Sequence, residues 1–450
     1  MIVMKFGGTS VGAAERILAV AERVRERRDR QPVVVVSALA GVTDLLVRGA
    51  QLAQARDRAA DAVLEELRGR HHAVAVESLP AGPAREETLL RVEGALAELR
   101  GFYSGVHNLA ELTPRTLDAI AGSGERLSVE IVAAALNGRG LRARAVDGRE
   151  VVVTDEDFGR AAPLLEDTGM RVRQVIAPLL HDGVVPVVGG FTGRTRAGVA
   201  TTLGRGGSDL TAAVIGALLP AEEIQIWTDV DGMMTVDPRA VAGARVIPEV
   251  SFEEAAELAY FGAKVLHPAT IKPAVERGIP VRILNSLNPQ APGTRIAGRL
   301  EDGARAEARA IAFKKGITVL LISQPRMLMA YGFVARVFEV FDRHRTPVDL
   351  IATSEVSVSL TVDDAARLPA VEADLAPLGD VRTLRDMAIV SVVGRGFSRQ
   401  AGLAGRVFQA LREVNVVMIS FGASDVNLSF VVRQAEAETA ARLIHRELFE

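Results

Sequence analysis

The sequence predicts an α/β protein. It reads as a mostly parallel sheet sandwiched by helices over residues 1–295, a linker over 296–307, and two small ferredoxin-like modules over 308–385 and 386–450. Three observations predict this. Short β-branched runs alternate with Ala-, Leu- and Arg-rich stretches through the first two thirds of the chain. Pro289, Pro292, Gly293, Gly298 and Gly303 then punctuate one stretch, as a connection between domains does. Finally, Arg336-Val337-Phe338 recurs as Arg406-Val407-Phe408, and Ser354-Glu355-Val356-Ser357-Val358-Ser359 as Ser424-Asp425-Val426-Asn427-Leu428-Ser429, both at an offset of 70.

The expected strands are Ile2 to Phe6, Val33 to Val36, Val184 to Val188, Ile224 to Trp227 and Val281 to Leu284. Ala13 to Arg30 reads as a helix, with Ile17, Val20, Ala21 and Val24 on one face. Residues 47–115 hold helix formers without a clear strand, so a helical insertion is expected there. Each copy of the repeat reads as glycine-containing loop, helix, strand, turn and alternating strand, which suits a βαββαβ unit.

Composition excludes several function classes. The 450 residues are 48% hydrophobic, enough for a large core and incompatible with a wholly disordered chain. Lys plus Arg is 53 and Asp plus Glu 56, so the net charge is -3 and no basic face for nucleic acid is expected. There is no cysteine, which removes disulfides, thiolate nucleophiles and Cys-ligated metals. Seven histidines leave little scope for a His-rich metal cluster. No apolar run approaches a membrane span and the first residues do not read as a secretory signal, so the expected compartment is the cytoplasm.

Five motifs hold polar chemistry. Lys5-Phe6-Gly7-Gly8-Thr9-Ser10 ends the first strand, where glycines let backbone approach an anion and Lys5 adds a point charge; a tight turn with a surface lysine is the plain reading. Gly204-Arg205-Gly206-Gly207-Ser208-Asp209 precedes an apolar helix, with Ser208 or Asp209 as its cap and Arg205 as a fork for carboxylate or phosphate. An ordinary glycine loop is weighed below that anion site, because glycines, arginine and helix start coincide.

Thr228-Asp229-Val230-Asp231-Gly232 follows a strand, where parallel sheets bind ligands; its aspartates hold a cation, bond a nucleotide or merely form Asx turns. Gly122-Ser123-Gly124-Glu125 reads as an acid in a glycine turn ahead of a helix, either receiving a ligand ammonium or complementing the helix dipole. In Phe261-Gly262-Ala263-Lys264-Val265-Leu266-His267-Pro268, Lys264 can reach a phosphate and His267 reads as structural. Together the set suits a polyanion plus a small zwitterion. The Walker lysine is missing, and so are the H-R-D and D-F-G motifs of protein kinases.

These motifs, with Val35-Val36-Ser37-Ala38-Leu39-Ala40-Gly41-Val42-Thr43, occur in the order seen in one family. Over essentially its whole length the sequence resembles the aspartate kinases of the amino-acid kinase superfamily, of the monofunctional lysine-sensitive type, and its two repeats resemble their tandem ACT modules. The resemblance implies an amino-acid-kinase-like fold for 1–295 and ACT regions at 308–385 and 386–450. It implies transfer of the γ-phosphoryl of ATP, with Mg²⁺, to the β-carboxylate of L-aspartate, giving 4-phospho-L-aspartate for the lysine, threonine, methionine and diaminopimelate routes.

By resemblance, Lys5 and Asp209 are catalytic. Ser37, Thr43, Glu125, Arg205, Gly206, Gly207 and Ser208 bind substrate, with Arg205 on a carboxylate and Glu125 on the α-ammonium. Lys5, Gly7, Gly8, Thr228, Asp229, Met234, Arg239, Lys264 and Val265 bind ATP. Met234 stands where many relatives carry tyrosine, so thioether packing replaces stacking. No side chain is assigned to a metal. Met327, Ala330, Val348, Asp349, Ser354, Glu355 and Val356 form the implied effector site, which favours L-lysine over threonine, with Asp349 on the effector's amino group. A homodimer through the ACT modules is implied, and neither membrane nor nucleic-acid partners.

Two other readings stand beside it. A related carboxylate kinase, such as an acetylglutamate kinase, takes a substrate without a free ammonium and leaves Glu125 without purpose. A non-catalytic amino-acid sensor would not need Lys5, Asp209 and the glycine loops intact.

Overall fold

The computed structural model describes all residues except 262–265, 267, 299–306, 325–330 and 400. It divides into two compact units: Met1–Met233 with Val265–Gly298, and Met234–Lys264 with Arg299–Glu450. Residues 234–264, which the sequence places in the 1–295 span, thus cluster with the C-terminal part.

In chain order the elements of the first half are β1 (Ile2–Phe6), α1 (Gly8–Val11), α2 (Ala14–Arg25), β2 (Pro32–Val36), α3 (Val42–Gln54), α4 (Ala59–Ser78), α5 (Pro83–Leu109), α6 (Pro114–Ala121), α7 (Ser123–Gly138), β3 (Ala143–Val146), α8 (Gly148–Val151), β4 (Val153–Thr154) and α9 (Leu165–His181). Then come β5 (Val185–Gly189), β6 (Thr192–Thr195), β7 (Ala200–Thr202), α10 (Gly207–Leu218), β8 (Glu223–Thr228), β9 (Glu249–Ser251), α11 (Phe252–Phe261), α12 (Pro268–Glu276), β10 (Val281–Asn285) and β11 (Thr294–Ala297). Of these, β9 and α11 lie in the second unit.

Within the first unit seven strands run in the order β3-β5-β2-β1-β8-β10-β11, all neighbours parallel except β10 and β11. A separate small sheet joins β4, β6 and β7. The run Pro32-Val33-Val34-Val35-Val36 is buried throughout, as a continuous apolar stretch covered on both faces must be. In α2, Ile17, Val20, Ala21 and Val24 point inward while charged residues face out. The expected helical insertion is α3 to α6; the Tyr103 hydroxyl donates to the Leu46 carbonyl at 2.9 Å and pins α5 to α3. The register aligns Phe6 with Val36 and Trp227, and Val36 with Gly189. The carboxyl ends of β1, β2, β5 and β8 therefore share one sheet edge, the edge where open parallel sheets bind ligands.

The second unit continues with β12 (Glu307–Ser323), α13 (Phe333–Arg343), β13 (Ile351–Thr353), β14 (Ser357–Val362), α14 (Leu368–Leu375), β15 (Asp380–Arg395), α15 (Leu403–Ala410), β16 (Met418–Phe421), β17 (Asn427–Arg433) and α16 (Ala437–Phe449). One antiparallel sheet runs β13-β14-β12-β15-β17-β16. The repeat is visible in the backbone. Gly332 and Gly402, 70 apart, both take left-handed φ at the start of a helix, and Gly316 and Asp386, also 70 apart, both break a long strand at positive φ.

Two cores follow, one under β12 and β14 with Val337, Leu360 and Val371, the other under β15 and β17 with Val407, Phe430 and Ile444. The modules are not two beads in series. β12 runs through both: Thr318–Ser323 pairs with β14, while Glu307 to Lys315 pairs with the far half of β15. The second module thus takes its fourth strand from residues that precede the first. Among the described residues, no helix is long and apolar enough to cross a membrane.

Candidate active site

The site grows from four chain segments delivered to that common sheet edge. β1 carries Lys5 one residue before its end; the Lys5 Nζ lies 2.7 Å from Asp209 Oδ1, with both side chains only about a tenth exposed (11% and 12%). Asp209 sits in the first turn of α10. That helix starts at Gly206, whose φ of +74° is a left-handed conformation natural to glycine. The sequence expectation of a Ser208 or Asp209 cap is corrected here: no side chain caps α10, because Asp209 faces Lys5 and the Ser208 hydroxyl accepts from Ser37 Oγ at 3.0 Å. The Gly207 N–H is taken by the Gly204 carbonyl at 3.0 Å, which leaves the N–H groups of Ser208 and Asp209 for a ligand.

The segment after β2 is held by Ser37 N–H to the Phe6 carbonyl (3.1 Å) and by Ser128 Oγ to the Ser37 carbonyl (2.9 Å). It turns at Gly41 into α3, whose first turn holds Thr43 and Asp44. The fourth segment is α7. The expected glycine turn ahead of it is instead helical: Gly122 closes α6 and opens α7 directly, and Gly124 lies inside α7. Gly124 serves close packing rather than a turn, since a Cβ there would stand 2.7 Å from Ala38 Cβ. Glu125 is thereby buried beside the β2 segment. Its Oε1 accepts from Ala38 N–H at 3.0 Å, while Oε2 has no partner among the described residues. Burial pushes its carboxyl up to about 8. An unpartnered buried carboxylate at a cavity wall is a socket for a cation that the ligand brings.

These segments enclose a cavity of about 520 Å³. Lys5, Gly8, Ser37, Thr43, Glu125, Arg205, Gly206, Gly207, Ser208 and Asp209, ten of the expected site residues, line it. Arg205 is exposed at its rim and makes no ion pair among the described residues. Cationic groups and a helix N-terminus thus face one volume with a buried acid. The arrangement can receive a molecule with both carboxylate and ammonium, next to a second anion.

The other expected residues fall as follows. Gly7 is beside the cavity, its N–H donating to the Trp227 carbonyl at 3.2 Å. Thr228 and Asp229 sit at the end of β8; Thr228 Oγ1 donates to Asp229 Oδ1 at 3.2 Å and the Thr228 carbonyl accepts from Ser286. Asp231 accepts from Asn285 and Asn288 at 2.7 and 3.1 Å, so it orders a loop. Met234 and Arg239 belong to the second unit; Met234 bridges Val246, and the exposed Arg239 pairs with Asp237 at 2.7 Å. Lys264, Val265, Met327 and Ala330 lie outside the described residues. Val348 is half-buried, and Ser354, Glu355 and Val356 are exposed. The Asp349 side chain is buried (1% exposed), accepts from the Tyr260 hydroxyl and lies 3.8 Å from Lys314 Nζ. Among the described residues, no group of three or more His, Cys, Asp or Glu could hold a metal.

Sequence reasoning missed Phe191 and the Leu39 to Ala40 backbone as cavity wall. Phe191 has φ of +63°, rare for a bulky residue and typical of functional sites. Its signal was the Gly189-Gly190 pair just before it.

Residues 1–285 match the model of the Amino acid kinase family, and residues 390–448 that of the ACT domain. Aspartokinase 1, chloroplastic, of Arabidopsis thaliana is 40% identical over 464 residues, covering all of this chain and 80% of that protein. Lysine-sensitive aspartokinase 3 of Escherichia coli is 37% identical over 460 residues, covering all of this chain and 99% of that protein. The crystal structure of E. coli aspartokinase III in complex with aspartate and ADP shares the fold with a TM-score of 0.84 at 36% identity, over 100% of both chains.

Proposed function

The chain belongs to the amino acid kinase family and, within it, to the aspartokinases, and on that premise we propose that its 520 Å³ cavity binds L-aspartate against the phosphates of ATP. The observation that supports this most is the free Oε2 of buried Glu125 in a cavity that also presents Lys5 and Arg205. The α-ammonium fits Glu125, a carboxylate fits the Arg205 fork, and the other carboxylate then points toward Lys5.

An aspartate carboxylate oxygen attacks the γ-phosphorus. The bond from that phosphorus to the bridging oxygen breaks, and ADP leaves with the electron pair. The attacking group is already ionised near neutrality, so no general base is required. What the site must do is hold two anions in line and neutralise charge as it moves. Lys5 supplies that charge, and Asp209 holds its ammonium at 2.7 Å in the ligand-free protein. Mg²⁺, when bound, neutralises and orients the phosphates. Asp209, whose Oδ1 lies 2.7 Å from Lys5 Nζ, is the carboxylate that would hold the ion beside the phosphates.

The test is ADP release with MgATP and L-aspartate, run with hydroxylamine, which traps acyl phosphates as hydroxamates. Hydroxamate equal to ADP is expected, with N-acetyl-L-aspartate inactive because it lacks the ammonium. Equal turnover of N-acetyl-L-aspartate would refute the Glu125 contact and favour an acetyl-amino-acid kinase. ADP release without hydroxamate would refute acyl transfer.

Regulation by free L-lysine at the segment of Asp349 follows from the same family assignment, with a homodimer as the assembly that sedimentation velocity should report. Tyr260 adds a feature of this chain. Its hydroxyl already bonds one oxygen, Oδ1, of the Asp349 carboxyl, which burial pushes upward, and Lys314 Nζ stands 4.7 Å from the Tyr260 ring centre. Asp349 Oδ2 has no hydrogen-bond partner among the described residues, so the competition proposed here is for Oδ1, where an effector ammonium displaces that hydroxyl. Tyr260→Phe should therefore lower the lysine concentration for half-inhibition about threefold to tenfold, one hydrogen bond's net worth. Unchanged or weakened inhibition would refute the competition.

A further inference from the structure

We propose that Asp118 is a positioning residue: it sets the loop that presents Arg205 to the substrate carboxylate. The proposal rests on the aspartate-binding reading above. Asp118 lies on α6 and is 3% exposed. It does not line the cavity and has no ion pair among the described residues, so it acts through other groups. Its Oδ2 accepts from Gly159 N–H and from Thr202 N–H, both at 2.9 Å, and its Oδ1 accepts from Thr202 Oγ1 at 2.7 Å.

Those three donors come from two segments far apart in sequence, the 155–161 loop and β7. The same two segments also bond each other, Ala161 N–H to the Thr202 carbonyl at 2.9 Å. They converge on Gly204. Its φ is +70°, and a Cβ there would stand 3.1 Å from the Gly159 carbonyl and 3.4 Å from Arg160 Cα. The backbone is thus packed tightly against the 155–161 loop one residue before Arg205, and Gly204 O then accepts Gly207 N–H at 3.0 Å to start α10.

A buried carboxylate without a counter-charge is costly unless every lone pair is used. Here three hydrogen bonds offset that cost, and what they hold is the geometry of one loop. A fork such as guanidinium binds a carboxylate well only in one orientation, so a small shift of its loop is felt as weaker substrate binding.

The chemistry suggests a discriminating pair of variants. In Asp118→Asn the carbonyl can keep both N–H contacts, and the amide can donate to the Thr202 hydroxyl, which has lone pairs to accept. Asp118→Ala loses all three. The full-length enzyme is assayed for kcat and for the KM of aspartate and of ATP separately. Asp118→Ala should raise the aspartate KM about tenfold or more, with the ATP KM within about twofold, and Asp118→Asn should return it to within about threefold of wild type. In a cycle with Arg205→Ala, the double variant should be no worse than Arg205→Ala alone by more than about twofold, because both remove the same interaction. Thr202→Val, nearly isosteric, enters the same cycle if Asp118→Ala does not accumulate as folded protein; it should raise the aspartate KM about threefold.

An equal rise in both KM values, multiplication of the Asp118 or Thr202 effect onto Arg205→Ala, or Asp118→Asn as defective as Asp118→Ala would overturn the proposal. Turnover by the wild type of some other acceptor, and not of aspartate, would sink the reading of function instead; the split between acceptor and nucleotide KM would then be measured with that acceptor.

Discussion

Lys5→Ala is expected to lower kcat by about 10³-fold while the protein stays folded, since removal of one charge-stabilising group from a preorganised site costs on this order. Lys5 is the penultimate residue of β1 in the centre of the parallel sheet, with β2 and β8 on either side, so its backbone is held whatever the side chain. Its ammonium is the cation of the cavity held closest to a carboxylate, 2.7 Å from Asp209. Charge on the transferring phosphoryl group grows at the transition state, and a contact that strengthens there appears in kcat more than in KM. The alanine variant also leaves the mostly buried Asp209 without its partner, which repels the incoming phosphates and adds to the loss. Asp209→Asn should show a smaller deficit of the same kind, because it frees Lys5 from its orientation without adding repulsion. Steady-state kinetics with circular dichroism melts check both. Turnover of Lys5→Ala within about tenfold of wild type, with melting unchanged, would remove Lys5 from the chemistry.

Glu125→Gln is expected to do two opposite things. It should raise the KM for aspartate by about 10- to 100-fold, the worth of one buried charge-assisted contact. It should also stabilise the ligand-free protein at pH 8 and above. The carboxyl is buried, Oε2 is unpartnered among the described residues, and burial raises its pKa from 4.5 to about 8. For an acid raised on folding, the native state holds the extra proton between those two values. Stability therefore falls as pH rises through that window and levels off above about 8. Every tenfold change in proton affinity is worth ~1.4 kcal/mol, so the destabilisation above the window is of the order of a few kcal/mol. Glutamine removes it.

Melting of the ligand-free wild type and variant across pH 5 to 9 should show the curves diverging as pH rises. Calorimetry of aspartate binding below pH 8 should report proton release in the wild type, because the incoming ammonium favours the ionised form, and none in Glu125→Gln. A variant less stable than wild type at pH 9, or an unaltered aspartate KM, would contradict the socket described for Glu125.

Much of the fold was legible because it is written in local pattern. Val33 to Val36 reads as a buried strand, and the structure extends it by one residue to Pro32–Val36. Ile17, Val20, Ala21 and Val24 mark one face of α2 at helical spacing. The offset of 70 found in Arg336-Val337-Phe338 and its second copy reappears in the φ angles of Gly332 and Gly402. What escaped local pattern is the sharing of β12. Nothing in the local sequence of Glu307 to Lys315 says that this segment completes the later module.

The site divides along the same line. Lys5, Arg205 and Asp209 stood out because each lies beside glycines at a strand end or helix start, where ligands of parallel sheets collect. Asp118 did not, since its three donors lie 41 and 84 positions away and its own neighbours are an ordinary helix. Tyr260 did not either, being 89 positions from Asp349.

By itself, then, the sequence determined the kinds of element, their order, the repeat, and the residue types gathered at the strand ends, because these follow from backbone preference and apolar periodicity within a few residues. Only the tertiary structure decided that Glu125 keeps one oxygen without a partner among the described residues, that Lys5 faces Asp209, that Asp118 braces the Arg205 loop, and that one strand serves two modules. Each of those depends on desolvation or hydrogen bonding between groups far apart in the chain, and such terms exist only once the chain has closed around them.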